Sequence, residues 1–255
     1  MSQDLAFILS DWEYDPLRVT ARWIEGDDAR IKIQLRVDLG VFQMEIQHRP
    51  DGRRPHGCTS LLQYHTQREQ AAPANAPELQ LDEPACAALQ QEMLQYYYRY
   101  IALFALRHYD GVIRDTEHNL AIIRYISRHA SEELGHTALP FFPFVRMMNA
   151  RARAEKALDA RQFAEAGATL EAACEEIEAF AARHEVPETV IVPPLATLRE
   201  LMAGIQKRKP RNEADRLREE LDRAIAAENY ERAALLRDRL QALLTAARPG
   251  DEIRP

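Results

Sequence analysis

Long apolar runs are missing from the 255 residues of this chain. No stretch approaches the roughly 18 to 20 residues needed to cross a bilayer. The early "LAFIL" lacks a basic flank, a long apolar core and a small-residue cleavage site, so no secretory leader is expected. Cysteine is scarce. Cys58, Cys86 and Cys174 are scattered, odd in number and form no C-x-x-C pair. That excludes a disulfide framework, and a reducing cytoplasm is the simplest expected compartment. Each thiol is expected to serve as a small buried hydrophobe. Net positive charge is lacking too. Lys and Arg number 33 against 40 Asp and Glu, a formal charge of -7. Such a chain has no global attraction for nucleic acid or anionic lipid, and only a local basic patch could supply one. The phosphate-cradling G-x-x-x-x-G-K-[ST], the dinucleotide G-x-G-x-x-G and the nucleophile elbow G-x-S-x-G are all absent. No catalytic residue, metal or cofactor is assigned.

What is present divides by period. Val19, Ala21 and Trp23 alternate within Arg18–Ile24. Ile31, Ile33, Leu35 and Val37 then alternate with Lys32, Gln34 and Arg36, and Phe42, Met44 and Ile46 share one side of 41–47. Period two marks half-buried strands, and the tight connections "EGDD" and "DLG" predict an antiparallel meander. A loop, "HRPDGRRPHG", and a helix near Thr59–Gln70 follow. "AAPANAPELQLDEP" (71–84) reads as a Pro/Ala linker between an N-terminal β-rich domain (1–70) and a helical one (85–207).

From Ala85 the period is 3.6. Helices are predicted at Ala85–Leu106, Gly111–Ala130, Phe144–Ala160, Ala164–His184 and Leu195–Lys207. "VPETVIVPP" (186–194) reads as an interruption between the last two. "ALRHYDGV" around Tyr109 and "DARQFAEA" around Phe163 repeat one pattern: an aromatic at a turn, then a small or apolar residue (Val112, Ala166) three positions on. That spacing lets two antiparallel helices approach closely. It resembles the tetratricopeptide (TPR) turn, which implies TPR-like helical hairpins.

The segment Glu213–Leu243 carries Leu217, Leu221 and Ile225 at spacing four. Ala233, Leu236, Leu240 and Leu243 follow at spacings of three and four, and "AEN" joins the two runs. Each run is one apolar stripe, and so short a connection makes an antiparallel hairpin. With its turn "ENYERAA" and closing "LRDRL", the segment 211–246 resembles the UVR motif of the excision-repair proteins UvrB and UvrC. The resemblance implies a hairpin for protein–protein contact, one that docks another such hairpin in a partner or in a second copy. Leu217, Leu221, Ile225, Leu236 and Leu240 would carry that contact, with Tyr230 fixing the turn. The whole chain also resembles bacterial proteins described only by their UVR motif.

Several constellations invite chemistry. Arg49, Arg53 and Arg54 beside turn glycines could converge on an anion or on a partner. The loop could instead be structural, with Arg53 and Arg54 bridging to Asp38, Asp51 or Glu45. His48, His56, Cys58 and His65 have metal-ligand chemistry but not finger spacing. "DTEH" (115–118) and the Glu132/His136 pair read as helix-surface ion pairs, with contact to a neighbouring helix turn the alternative for Asp115. "YYYRY" (96–100) reads as packing between the sheet and the helices, with hydroxyls at the rim. "KRKPR" (207–211) is a short basic joint.

The expected fold is α+β and mainly α. It has a small N-terminal antiparallel sheet, TPR-like hairpins and a C-terminal antiparallel hairpin. The expected function is that of a non-catalytic, cytoplasmic adaptor or scaffold. Its rival is an accessory protein of DNA repair or nucleic-acid handling, reaching phosphate through the loop arginines and the basic joint.

Overall fold

The computed structural model describes residues 5–73, 75, 77–208 and 213–246. After a short helix α1 (Ala6–Leu9) come β1 (Ala21–Glu25), β2 (Ile31–Val37) and β3 (Gly40–Glu45). They form one antiparallel sheet in sequence order. Ile33 lies between Trp23 and Met44 in register, and Gln34 between Arg22 and Gln43. The alternation therefore sends Ile33, Leu35 and Met44 into the core. The other face carries a polar ladder. Arg22 Nε donates to Gln34 Oε1 at 2.9 Å, and Gln34 Nε2 to Gln43 Oε1 at 3.0 Å. Gln34 is buried although it faces outward, because Arg22 spans this face and stacks on Trp12.

Helices follow: α2 (Leu61–Ala71), α3 (Glu83–Ala105), α4 (Tyr109–His129), α5 (Glu132–His136), α6 (Phe142–Asp159), α7 (Phe163–His184), α8 (Glu188–Arg208), α9 (Glu213–Ala226) and α10 (Tyr230–Ala246). Helices α3 and α4 pair, as do α6 and α7. Helix α4 joins the pairs by packing on α6, and α8 covers α6 and α7. The sheet lies on α3, and its inward residues belong to the same apolar cluster as these helices.

Two expectations change. The segment read as a linker is partly built into the core. Leu81 is buried and its N–H donates to His129 O at 2.7 Å. Asp82 then caps α3 through Ala85 N–H at 2.9 Å, and Pro84 sits in the first turn, where its missing N–H costs nothing. The interruption at 186–194 is shorter than predicted, because α8 starts at Glu188 and runs through Pro193 and Pro194. Burial of Leu195, Leu198 and Ile205 against α6 and α7 outweighs the two missing backbone bonds.

The hairpin turns share one geometry. Arg107, Arg161 and Glu228 are left-handed, with φ of 57°, 57° and 54°. The next N–H in each case bonds five residues back: His108 to Leu103 O, Gln162 to Ala157 O and Asn229 to Ala224 O. This is a Schellman-type stop followed at once by a new helix. Val112, Ala166 and Ala233, each three residues after the aromatic, are all buried at the helix contact.

Candidate functional site

The C-terminal hairpin closes upon itself. Leu217 and Ala224 of α9 and Ala233 and Leu236 of α10 form a buried seam, flanked by partly buried Leu221, Leu240 and Leu243. The alanines sit near the turn, where the helices come closest. Asn229 starts α10 by accepting the Arg232 N–H on Oδ1 at 3.1 Å. This seam is an apolar cluster separate from the main core. One ion pair reaching the rest of the chain is Arg161 Nη1 to Asp222 Oδ2, 3.1 Å apart and solvent-exposed.

Of the residues that the stripes single out, Leu217 and Leu236 are therefore spent inside the hairpin. Leu221 and Leu240 are partly available. Ile225 and Tyr230 remain open, at 51% and 69% exposure. Leu235 and Leu244 are exposed as well, and the stripe spacings did not single them out. A helix turns about 100° per residue. That rotation puts Ile225, Tyr230 and Leu244 on one side of the seam and Leu235 on the other. The turn aromatics differ in the same sense. Tyr109 is buried against Phe104 and Phe163 is half-buried, while Tyr230 is bare. Tyr230 does not plug its turn, because no neighbouring hairpin covers it among the described residues.

The left-handed turn residues extend this series. Arg107 reaches Asp159 at the end of the second hairpin, at 2.8 Å, and Arg161 reaches Asp222 of the third. At the third turn the residue is Glu228, and its side chain makes no ion pair among the described residues.

The arginine loop is held from below. Arg49 Nη1 donates to Glu92 Oε2 at 2.7 Å, and its other nitrogens grip both oxygens of Asp51 at 3.1 and 2.8 Å. Glu92 is fully buried on α3. It also accepts the Leu61 and Leu62 N–H groups at the start of α2, at 2.8 and 3.3 Å, and faces His118 Nε2 at 3.1 Å. Burial pushes the Glu92 carboxyl up, but His118, the Leu61 N–H and Arg49 outweigh it and hold it below its ordinary value. Burial also raises Asp51, and the Arg49 guanidinium with the Arg53 N–H brings it down to about 2. Arg49 is thus a structural pillar. Arg53 and Arg54 point outward and have no carboxylate partner among the described residues. The basic joint at 207–211 lies largely outside the described residues.

Beside this network stands a second. Arg99 Nε and Nη2 grip Asp115 at 2.7 and 2.8 Å, with both side chains 0% exposed. Arg99 Nη1 donates to Glu45 O and His48 O at 2.9 and 2.7 Å, fastening the end of β3 to the helices. The expectation of surface pairing at "DTEH" is corrected here. Asp115 and His118 face the interior, and only Glu117 pairs on the surface, with Arg153. The face of α4 settles this, since Asp115 and His118 point at α3. Tyr96 stacks on His118 at 3.9 Å, and Tyr98 meets Phe42 of the sheet at 4.6 Å. The tyrosine run therefore does bridge sheet and helices, though Tyr100 is 1% exposed rather than at the rim.

The histidines near the loop take ring contacts. His56 stacks on Tyr64 at 3.9 Å, and His65 packs edge-on to the same ring. Cys58 Sγ lies 3.3 Å from Gln67 Oε1. Among the described residues no cluster of three or more His, Cys, Asp or Glu is placed to hold a metal, and no helix is long and apolar enough to cross a membrane.

Against known families, residues 211–245 match the UvrB/uvrC motif, UVR. The match spans the α9–α10 hairpin, an interaction element of excision-repair proteins. No curated protein and no solved structure matches the chain.

Proposed function

We propose that this protein is a non-catalytic adaptor or scaffold of the cytoplasm, whose UVR hairpin docks another hairpin of the same kind, in a partner protein or in a second copy. The observation that carries this reading is the separation of two tasks. The seam of Leu217, Ala224, Ala233 and Leu236 holds the hairpin together. Ile225, Tyr230 and Leu244, with the outer edges of Leu221 and Leu240, are left to meet a partner. The TPR-like hairpins beneath form the body that carries it. Burying one large apolar side chain contributes roughly 1.5 to 3 kcal/mol. Four or five such side chains on each of two facing hairpins leave enough for micromolar docking after association entropy is deducted. Mixed charges on the remaining faces, with acids in slight excess, favour a protein partner over a phosphate backbone.

Arg53 and Arg54 support the second reading, nucleic-acid contact in excision repair, because they project from the loop without carboxylate partners among the described residues. One experiment separates the two. The full chain and its Ile225→Asp/Tyr230→Asp variant are sedimented over a concentration series, alone and with a second UVR-bearing protein. Both are also titrated with duplex and single-stranded DNA at about 50 mM salt, where counterion release favours binding most. Docking predicts association that weakens at least about tenfold in the variant, at unchanged helicity. Association that ignores both substitutions would remove the docking face. DNA binding that falls in Arg53→Ala/Arg54→Ala would favour the second reading.

A further inference from the structure

Between α3 and the beginning of α6 lies a cleft of about 460 Å³, remote in sequence from the UVR hairpin and unused by the docking reading. Leu94 and Tyr97 of α3 form one wall, and Phe141 and Phe144 the other. Leu94, Phe141 and Phe144 are exposed at its rim. Among the described residues no Asp, Glu, Lys, Arg or His lines it, and its other polar side chains are Gln90, Gln91, Tyr97 and Tyr100. Asn119 of α4 also lines the cleft, and its side chain is 1% exposed. Asn119 Nδ2 donates to Met93 O at 3.0 Å, while Oδ1 has no hydrogen-bond partner among the described residues. An acceptor enclosed among aromatic and aliphatic groups without a donor is unfavourable, and a ligand that brings one relieves it.

We infer that this cleft binds a compact, neutral ring compound bearing one N–H or O–H donor, which it gives to Asn119 Oδ1. The volume falls within the usual range for small-molecule pockets, roughly 300 to 1,000 Å³. A charged ligand is disfavoured, because no opposite charge among the described lining residues compensates its desolvation. An extended peptide is disfavoured for a related reason. The walls are helices, whose backbone groups are already paired within the helix. A peptide's own amides would enter without partners. A ring with a donor meets both demands: its apolar faces lie against Leu94, Phe141 and Phe144, and its N–H or O–H meets the unpaired Asn119 Oδ1. Entry requires the side chains over Asn119 to part slightly, since Oδ1 itself is covered.

Indole and 1-methylindole provide the test, since the second carries a methyl group in place of the N–H donor, and Asn119→Leu separates loss of the donor from the added bulk. The full chain is titrated with each, followed by ligand-observed NMR and calorimetry. Indole should bind with 1-methylindole at least about fivefold weaker, the difference one hydrogen bond makes. Asn119→Leu should bring the two affinities together. Ala87→Trp should abolish both. Ala87 is an exposed wall residue, so its enlargement fills the cleft without entering the core. The wild-type comparison stands even where Asn119→Leu does not fold. Equal affinity for the two compounds, no indole binding at millimolar concentration, or binding that survives Ala87→Trp would each overturn the assignment.

Discussion

Arg99 shows what a single side chain decides in this molecule. It is wholly buried, it neutralises Asp115 through two hydrogen bonds, and it accounts for two otherwise open carbonyls at the end of β3. A buried pair of this kind adds modest net stability over an apolar pair, but breaking it leaves the buried Asp115 with Arg114 Nε, at 2.9 Å, as its remaining ion-pair partner among the described residues. Arg99→Met should therefore destabilise by about 3 to 5 kcal/mol in urea unfolding. The double variant Arg99→Met/Asp115→Leu should be more stable than the single one, with a coupling of at least about 1 kcal/mol. A double variant as unstable as the sum of its parts would mean that the carbonyl contacts, not the pair, matter. Glu92 plays the same part for the arginine loop. It gathers Arg49, His118 and the first amides of α2 around one carboxylate. These residues were visible in the sequence as charges, but their burial was not.

At the scale of elements, one turn is used three times. A left-handed residue ends each first helix, and none of the three is glycine. Arg107 and Arg161 are each turned toward an acid of the next hairpin. Exposed pairs of this sort contribute little energy, so their interest is positional: they mark the direction in which hairpins follow one another. Glu228 holds the same place in the third hairpin and makes no such pair among the described residues. A side chain at that backbone angle costs about 1 kcal/mol that glycine does not incur. Glu228→Gly should consequently raise the stability of α9 and α10 by about that amount, read as slower amide exchange across the hairpin. Faster exchange would mean that the Glu228 side chain contributes more than its strain costs. The Tyr230 ring, bare where Tyr109 is covered, belongs to the same pattern.

For the whole molecule, the relevant fact is that the described residues form two apolar clusters. The larger one joins the inward face of the sheet to α3, α4, α6, α7 and α8, and the smaller one lies wholly within α9 and α10. A chain ending after residue 208 should keep the body folded, with a thermal midpoint within a few degrees of the full-length value. It should also lose the association assigned to the hairpin. Collapse of the body on truncation would show that the hairpin is part of its core. Local pattern alone determined a great deal of this architecture. Period two from Ile31 to Val37 gave the central strand, period 3.6 from Ala85 onward gave the helices, and the turn "ENYERAA" with its flanking stripes gave the UVR hairpin. All of these are short-range properties, written in residues a few positions apart. Tertiary structure alone decided which of those residues remain free. Leu217 and Leu236 disappear into the seam, and Arg49 is claimed by a carboxylate 43 residues away. Asp115 turns inward, and a cleft opens around Asn119 from three helices that the sequence lists far apart. The physical reason is that exposure and pairing depend on which faces meet. Helical spacing fixes the face a side chain occupies, and only packing fixes what that face will touch.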